Sequence, residues 1–287
     1  MPSERVKQSA EDEAGELGQR GHRICGAELP ADISSASLRS KLKTRFIGRN
    51  ILYYPVITST MDEARVAAAE GAEEGTIVLA DEQTAGKGRL KRQWFSPPGD
   101  SILLSIILRP ELAHLSQLTM VAALAVAQTI EKVTGLGPAI KWPNDVLIEG
   151  RKVSGILIES QVQGGQVKCA IVGIGLNVNL DPSALPQTAT PATSLRAATG
   201  HEVSRLEVLT SLLQGFEELY QGLRRGEPIH QRWMGRLETL GKKVRVSLGD
   251  RVEEGYAESV DERGNLVLRR PDESLVTIVA GDVTLRS

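Results

Sequence analysis

The spacing of apolar residues changes several times along the chain, and each change predicts an element. "GTIVLADEQ" and "DSILLSIILRP" are apolar runs bounded by turn residues and read as buried strands, the second closed by Pro110. "TRFIGRNILYYPVI" is strand-like as well. "STMDEARVAAAEGA" has helical spacing, with Thr60 expected as N-cap, Glu63 completing a capping box and Gly71 as the stop. "SQLTMVAALAVAQTIEKVTG" is predicted as a long apolar helix, capped by Ser116 and ended by Gly135. Three strand segments follow: "AIKWP", "DVLIEGRKVSGILIES" bent at Glu149-Gly150, and "QVKCAIVGIGLNVN". "QGGQ" joins the last two as a hairpin. A Pro-, Thr- and Ala-rich loop is expected over residues 180–191. Two amphipathic helices come next, "SRLEVLTSLLQGFEELYQGLRRG" with a Ser204-x-x-Glu207 capping box, and "EPIHQRWMGRLETL".

After Leu240 the period switches to two. "KKVRVSLG", "RVEEGYAESV", "GNLVLRR" and "SLVTIVAGDVTLRS" are short alternating strands between Gly, Asp and Asn turns, which predicts a small all-β barrel. Residues before about Ser40 are polar and poorly periodic, and read as a tail or a short helical extension. The expected organisation is a polar extension over 1–40, an α/β unit over 41–238 and the small β-barrel over 239–287.

Composition narrows the function classes. Of 287 residues, 41% are hydrophobic and 24% charged, as in ordinary globular proteins. Lys and Arg number 34 against 36 Asp and Glu, for a net charge of -2. A global nucleic-acid binder carries a basic excess, so any attraction for anions here is local. Cys25 and Cys169 are far apart, and no His or Cys pair has metal-ligand spacing. The charged N-terminus lacks the apolar core of a signal peptide, and the apolar runs fall short of the roughly 18 residues that span a bilayer. A cytoplasmic location is expected.

The local attraction has an obvious candidate in "AGKGRLKRQW", residues 85–94, where Lys87, Arg89, Lys91 and Arg92 sit among glycines. Glycines admit close approach of backbone N–H groups to an anion, and Arg forks suit phosphate or carboxylate oxygens. The spacing is not that of a Walker A loop. A solvated turn, a phosphate-binding loop and a nucleic-acid arm all fit these residues. "KWPNDV" sets Lys141 at a strand end ahead of Trp142, Pro143, Asn144 and Asp145. It reads equally as a Pro-Asn-Asp turn with a core tryptophan and as a cation fixed on a rigid element. "GIGLNVN" places glycines inside a strand, for close approach of a ligand or for tight packing. Ser59-Thr60-Met61 lies at a strand-to-helix turn, where an N-cap and a polar ligand site are both compatible.

Taken together and in order, these segments resemble the biotin protein ligases. The family pattern appears here as Ser59-Thr60-Met61, "QTAGKGRLKRQW", "KWPNDV", "KVSGILIE" and "GIGLNVN", followed by a β-rich tail. The resemblance implies an α/β fold of the class II synthetase-like kind, a mixed sheet with flanking helices, and an SH3-like C-terminal barrel. It also implies a two-step reaction. Biotin and ATP give biotinyl-5′-AMP and pyrophosphate, and a lysine of a biotin carboxyl carrier protein then takes the biotinyl group. In this likeness Ser59, Thr60, Met61 and Gln83 line the biotin pocket, together with Gly155 and Gly173. Lys87, Gly88 and Arg89 lie over biotin and the developing adenylate. Arg92, Trp94, Asn144 and Asn177 serve ATP with Arg89 and Lys141. Lys141 bridges the biotin carboxylate and the α-phosphate, so that Lys141 and Arg89 are the expected catalytic pair. Asp145, or Asn144, is the expected Mg2+ ligand.

The resemblance breaks at two loop positions. Lys91 stands where the family has glycine, which leaves the backbone less free, and Lys87 stands where it has arginine, giving a point charge in place of a fork. Lipoate–protein ligases share the fold and chemistry, and some family members are biotin-responsive transcriptional regulators with a winged-helix domain. The short polar N-terminus points away from DNA binding. No membrane partner is expected, and monomer and homodimer both remain compatible.

Overall fold

The computed structural model describes residues 23–185, 191–248, 251–279 and 281–285. An eight-stranded mixed sheet dominates, in the order β1-β2-β3-β4-β8-β7-β6-β5. These strands are β1 (Arg23–Gly26), β2 (Asn50–Ile57), β3 (Ile77–Gln83), β4 (Ser101–Leu108), β5 (Ala139–Lys141), β6 (Asp145–Ile148), β7 (Arg151–Gln163) and β8 (Gln166–Asn177). The first three run parallel, and every later pairing is antiparallel. All eight residues of β4 are buried, which is why its sequence is apolar without alternation.

Among the described residues the α-helices are α1 (Ser35–Lys41), α2 (Thr60–Ala69), α3 (Leu118–Thr134), α4 (Leu195–Thr199), α5 (Arg205–Arg224) and α6 (Ile229–Met234). The large core lies between α3, α5 and one sheet face, where Ile102, Leu104, Ile106 and Leu108 of β4 point. A smaller cluster on the other face joins Met61, Ala64 and Ala67 of α2 to Val78, Ile107 and Ile171. α3 ends where expected, on Gly135 at φ 74°. The turns Glu149-Gly150 and Gly164-Gly165 hold both central residues at positive φ, the two-residue hairpin geometry.

Several expectations require correction. Residues 23–40 do not form a detached tail. β1 pairs with β2, and Leu29, Ile33 and Leu38 enter the main core; the part of the extension over 1–22 lies outside the described residues. Ser59, not Thr60, is the N-cap of α2: its carbonyl accepts from the N–H of Asp62 and Glu63, and no side-chain cap bond forms. Glu63 is taken instead by the Tyr54 hydroxyl at 2.7 Å. Ser116 sits in a 3-10 turn over Leu112–Gln117 rather than capping α3. With that turn, Leu112–Thr134 is helical for 23 residues at a mean hydropathy of 1.3, long and apolar enough to cross a bilayer. It is the buried core helix of this domain, with Met120 to Ala127 fully covered. The helix expected from "EPIHQRWMGRLETL" is confined to Ile229–Met234. The 180–191 loop is described at both ends, with 186–190 outside.

Beyond Thr239 come β9 (Lys243–Leu248), β10 (Arg251–Val260), β11 (Leu266–Arg269), β12 (Leu275–Ile278) and β13 (Asp282–Leu285). They form an antiparallel sheet in the order β12-β11-β10-β9-β13, and among the described residues no ladder closes it into a barrel. The sheet is bound to the larger unit: Trp142 Nε1 donates to the Gly264 carbonyl at 2.8 Å. Glu217 of α5, 6% exposed, accepts the N–H groups of Arg45, Phe46 and Ile47 at 2.6, 2.9 and 2.9 Å.

Candidate functional site

A cavity of about 490 Å³ opens where the ends of β3, β5, β7 and β8 meet the basic loop and the C-terminal sheet. It is lined by Thr60, Met61, Gln83, Lys87, Gly88, Arg89, Arg92, Trp94, Lys141, Asn144, Asp145, Gly155, Gly173 and Asn177, among others. Of the residues given a biotin, nucleotide or metal role above, Ser59 does not line it, and its hydroxyl is buried with no partner; Lys91 of the basic loop does not line it either. Five cations, Lys87, Arg89, Arg92, Lys141 and Lys152, face the single carboxylate of Asp145. Met61, Leu104, Ile156, Leu157 and Ile174 give the same cavity an apolar portion.

The polar floor is held by hydrogen bonds among its own residues. Gln83 Oε1 accepts from the Thr60 N–H at 2.8 Å and from Thr60 Oγ1 at 3.1 Å, while Ser105 Oγ donates to Thr60 Oγ1 at 2.9 Å. The carboxamide of Gln83 thereby satisfies the first turn of α2, a role a side-chain cap would otherwise take.

The basic loop folds over the cavity as a hairpin. The Gly88 N–H donates to the Arg92 carbonyl at 2.8 Å and the Trp94 N–H to the Gly86 carbonyl at 2.9 Å. Gly86 is required for space, since a Cβ there would lie 2.4 Å from the Trp94 carbonyl oxygen. Lys87 pairs with Asp62 on α2. Burial pushes Asp62 up, but hydrogen bonds from Lys87 and Arg65 outweigh it and hold the carboxyl below its usual range. Arg89 is held by a fork: Nη1 donates to Asn144 Oδ1 at 2.9 Å and Nη2 to the Gly281 carbonyl at 3.1 Å. Lys87, Arg89 and Arg92 all line the cavity.

"KWPND" supplies both a core anchor and a cation. Trp142 is 2% exposed, its N–H donating to Thr239 Oγ1 at 3.0 Å, and it precedes a cis proline. Lys141, at the end of β5, lines the cavity. Asn144 is braced from both sides, its Nδ2 donating to the Ile156 carbonyl at 2.8 Å.

The glycines of "GIGLN" line the cavity, and side chains stand close over them. A Cβ on Gly173 would lie 2.5 Å from Met61 Sδ, and one on Gly175 would lie 2.4 Å from Trp94 Cε2. Asn177 is 2% exposed; its Nδ2 donates to the Thr193 carbonyl at 2.9 Å, while its Oδ1 is buried without a partner. An orphaned acceptor on a cavity wall suits a ligand's N–H donor.

Two contributions escaped sequence reasoning. Lys152 Nζ lies 2.7 Å from Asp145 Oδ1 and 5.6 Å from the centre of the Trp94 ring. The only sequence signal was its place in "KVSGILIE", a turn away from Asp145. Val283 and Thr284 of β13 also line the cavity, and no local pattern connects them to it.

The expected Mg2+ ligands do not build a metal site. Asp145 is neutralised by Lys152, the Asn144 oxygen is taken by Arg89, and the described residues hold no group of three or more His, Cys, Asp or Glu suited to a cation.

The mixed sheet thus holds, at its strand ends, a pocket that is apolar on one side and rimmed by cations on the other. The Biotin/lipoate A/B protein ligase family matches residues 53–177, and the Biotin protein ligase C terminal domain matches 239–286. The Bifunctional ligase/repressor BirA of Bacillus subtilis is 38% identical over 93% of this chain and 83% of its own length. The Biotin--[acetyl-CoA-carboxylase] ligase of Paracoccus denitrificans is 37% identical over 75% of this chain and 92% of its own. The biotin protein ligase of Aquifex aeolicus, solved in complex with biotin and ATP, superposes with a TM-score of 0.71 at 30% identity, covering 83% of this chain and 98% of that one. This chain belongs to the biotin protein ligases.

Proposed function

We propose that the protein joins biotin to ATP and then passes the biotinyl group to a lysine of a carrier protein. The observation that carries this reading is the division of one cavity into an apolar portion and a rim of five cations, which suits a ureido-ring acid lying against a triphosphate. In the first step a biotin carboxylate oxygen bonds to the α-phosphorus and the bond to the pyrophosphate oxygen breaks. Two anions must converge, and the protein's part is to place positive charge between them. Lys141 is assigned that role because it ends a strand and lies on the cavity wall. Arg89, aimed by Asn144 and Gly281, and Arg92 are assigned to the phosphates. In the second step the carrier's neutral amine bonds to the acyl carbon and the acyl C–O bond breaks. AMP leaves with the bonding electrons, and the proton lost from nitrogen passes to solvent. Lys141 and Arg89 then stabilise the charge gathering on the departing phosphate.

Mg2+ is read here as part of the ATP co-substrate, held by phosphate oxygens. The carrier is read as the biotin carboxyl carrier unit of a carboxylase, and the setting as cytoplasmic. The biotin pocket is assigned to Thr60, Met61, Gln83, Lys87, Gly88, Gly155 and Gly173, and the nucleotide to Trp94, Asn144 and Asn177. An SH3-like closure of the C-terminal sheet belongs to the same reading.

Exchange of labelled pyrophosphate into ATP tests the first step. It is expected with biotin and absent with lipoate. Exchange with lipoate alone would transfer the assignment to the lipoate branch of the family.

A further inference from the structure

We propose that Leu90 and Lys91, at the tip of the basic loop, are positioning residues whose backbone strain weakens loop closure and so shortens the hold on a bound adenylate. The Arg92 N–H donates to the Arg89 carbonyl at 3.1 Å, closing a four-residue turn. Its central residues, Leu90 at φ 55° and ψ 38° and Lys91 at φ 60°, are both left-handed. That turn matches the twist of a hairpin, but it is ordinarily built from Asn and Gly. In this region the Cβ of leucine or lysine crowds the following carbonyl oxygen. Packing offers little compensation, since Leu90 is 61% exposed and Lys91 is exposed as well.

The strain is therefore sustained by the contacts that hold the hairpin down. Arg89 donates to Asn144 and to the Gly281 carbonyl, Lys87 pairs with Asp62, and Trp94 lies on the glycines of β7 and β8. Each of these contacts reaches outside the hairpin and exists only while the loop covers the cavity. Opening releases them and lets the tip relax, so the residues at the tip oppose closure. Glycine at position 91 would remove the crowding. Part of that gain is offset by the greater freedom of a glycine in the open loop.

Amide hydrogen exchange on the full ligand-free chain tests the backbone claim, read on peptides containing Gly88 and Trp94. Lys91→Gly is expected to slow exchange by about threefold or more. Lys91→Ala keeps the Cβ and removes the charge, and is expected to exchange as the wild type does. Exchange in Lys91→Gly at or above the wild-type rate overturns the proposal, and so does equal slowing by Lys91→Ala, which would make charge the cause. A second arm rests on the ligase reading: release of preformed biotinyl-adenylate should slow by a similar factor in Lys91→Gly, and unchanged or faster release overturns the link to retention. A wild-type protein that forms no adenylate would strike the functional reading, while the exchange result still decides the strain.

Discussion

Gly155 and Gly175 lie directly opposite one another across β7 and β8, and the Trp94 indole covers both. Cβ atoms on these two positions would stand 3.0 Å from Trp94 Cζ3 and 2.4 Å from Trp94 Cε2. Gly175→Ala forces the indole off its platform and with it the C-terminal side of the hairpin that carries Arg89 and Arg92. Overpacking of this kind costs about 1–3 kcal/mol. The expected outcome is a raised KM for ATP, roughly tenfold, with a smaller change for biotin. Steady-state kinetics at varied ATP and biotin check it, and equal effects on both substrates would place Trp94 outside the nucleotide's reach.

Lys141→Ala removes the cation assigned to the convergence of carboxylate and phosphate. Loss of one preorganised charge donor at a reacting centre lowers kcat by about 10²- to 10³-fold. Pyrophosphate exchange should fall by that factor while thermal unfolding stays near wild type, because β5 contributes its burial through Ile140 rather than Lys141. Exchange at the wild-type rate would dismiss Lys141 from the chemistry.

Asn144 acts through Arg89, whose Nη1 it receives at 2.9 Å. Asn144→Ala removes a hydrogen bond to a charged donor, worth about 1.5–3 kcal/mol, and leaves the Ile156 carbonyl without its side-chain donor. Adenylate release is expected to quicken by at least about tenfold. Asn144→Asp returns an acceptor to Arg89 and should recover part of the retention. If alanine and aspartate behave alike, the Arg89 contact is not what the asparagine supplies.

The sequence was most informative where local geometry decides the element. The paired positive-φ turns at Glu149-Gly150 and Gly164-Gly165, the Gly135 stop and the unbroken apolar strand β4 follow from period and turn chemistry alone. The Ser204 hydroxyl also caps α5 as expected, accepting from the Glu207 N–H at 3.3 Å. What could not be read was decided by partners distant in the chain. Thr60 looked like an N-cap because its spacing to Glu63 fits one, but Gln83, 23 residues away, takes its N–H, and Tyr54 takes Glu63. Residues 23–40 looked like a tail because their few apolar side chains lack periodicity. They are held by a sheet edge and by Arg205, which pairs with both Asp32 and Asp81 at 2.7 and 2.9 Å. The basic loop's charge was plain, whereas its left-handed tip and its contact with Gly281 depend on the folded surroundings.

Asp62 gives the loop a pH dependence whose sign is fixed by its depressed pKa. The carboxyl binds protons less readily folded than unfolded, so its pairing with Lys87 contributes fully above the ordinary value of 3.8 and is lost as pH falls below it. Both side chains are about one-third exposed, which keeps the contribution small and salt-sensitive. At neutral pH Asp62→Asn should reproduce the acid state. Tryptic cleavage within residues 87–92 of the ligand-free protein is expected to quicken severalfold, and added salt should narrow the gap to wild type. Equal cleavage at low salt would mean that the Lys87 pair does not restrain the loop.

Glu217 stands apart from the cavity and tests the frame that holds it. Its carboxylate receives three backbone N–H groups from residues 45–47, just ahead of β2, and at 6% exposure it leaves water little access. Glu217→Ala leaves all three donors without this acceptor, the Ile47 N–H in the core and those of Arg45 and Phe46 partly covered. Each unsatisfied donor costs about 1–3 kcal/mol, and partial relaxation keeps the sum near about 3–5 kcal/mol. The expected result is a Tm lowered by roughly 6 °C or more for a domain of this size. The protein that stays folded at lower temperature should keep its KM values, because the β3 and β5 ends that carry Gln83 and Lys141 are positioned by the sheet itself. A Tm within a degree of wild type would show that the turn finds other acceptors, and a shifted KM with unchanged Tm would mean that this carboxylate communicates with the site.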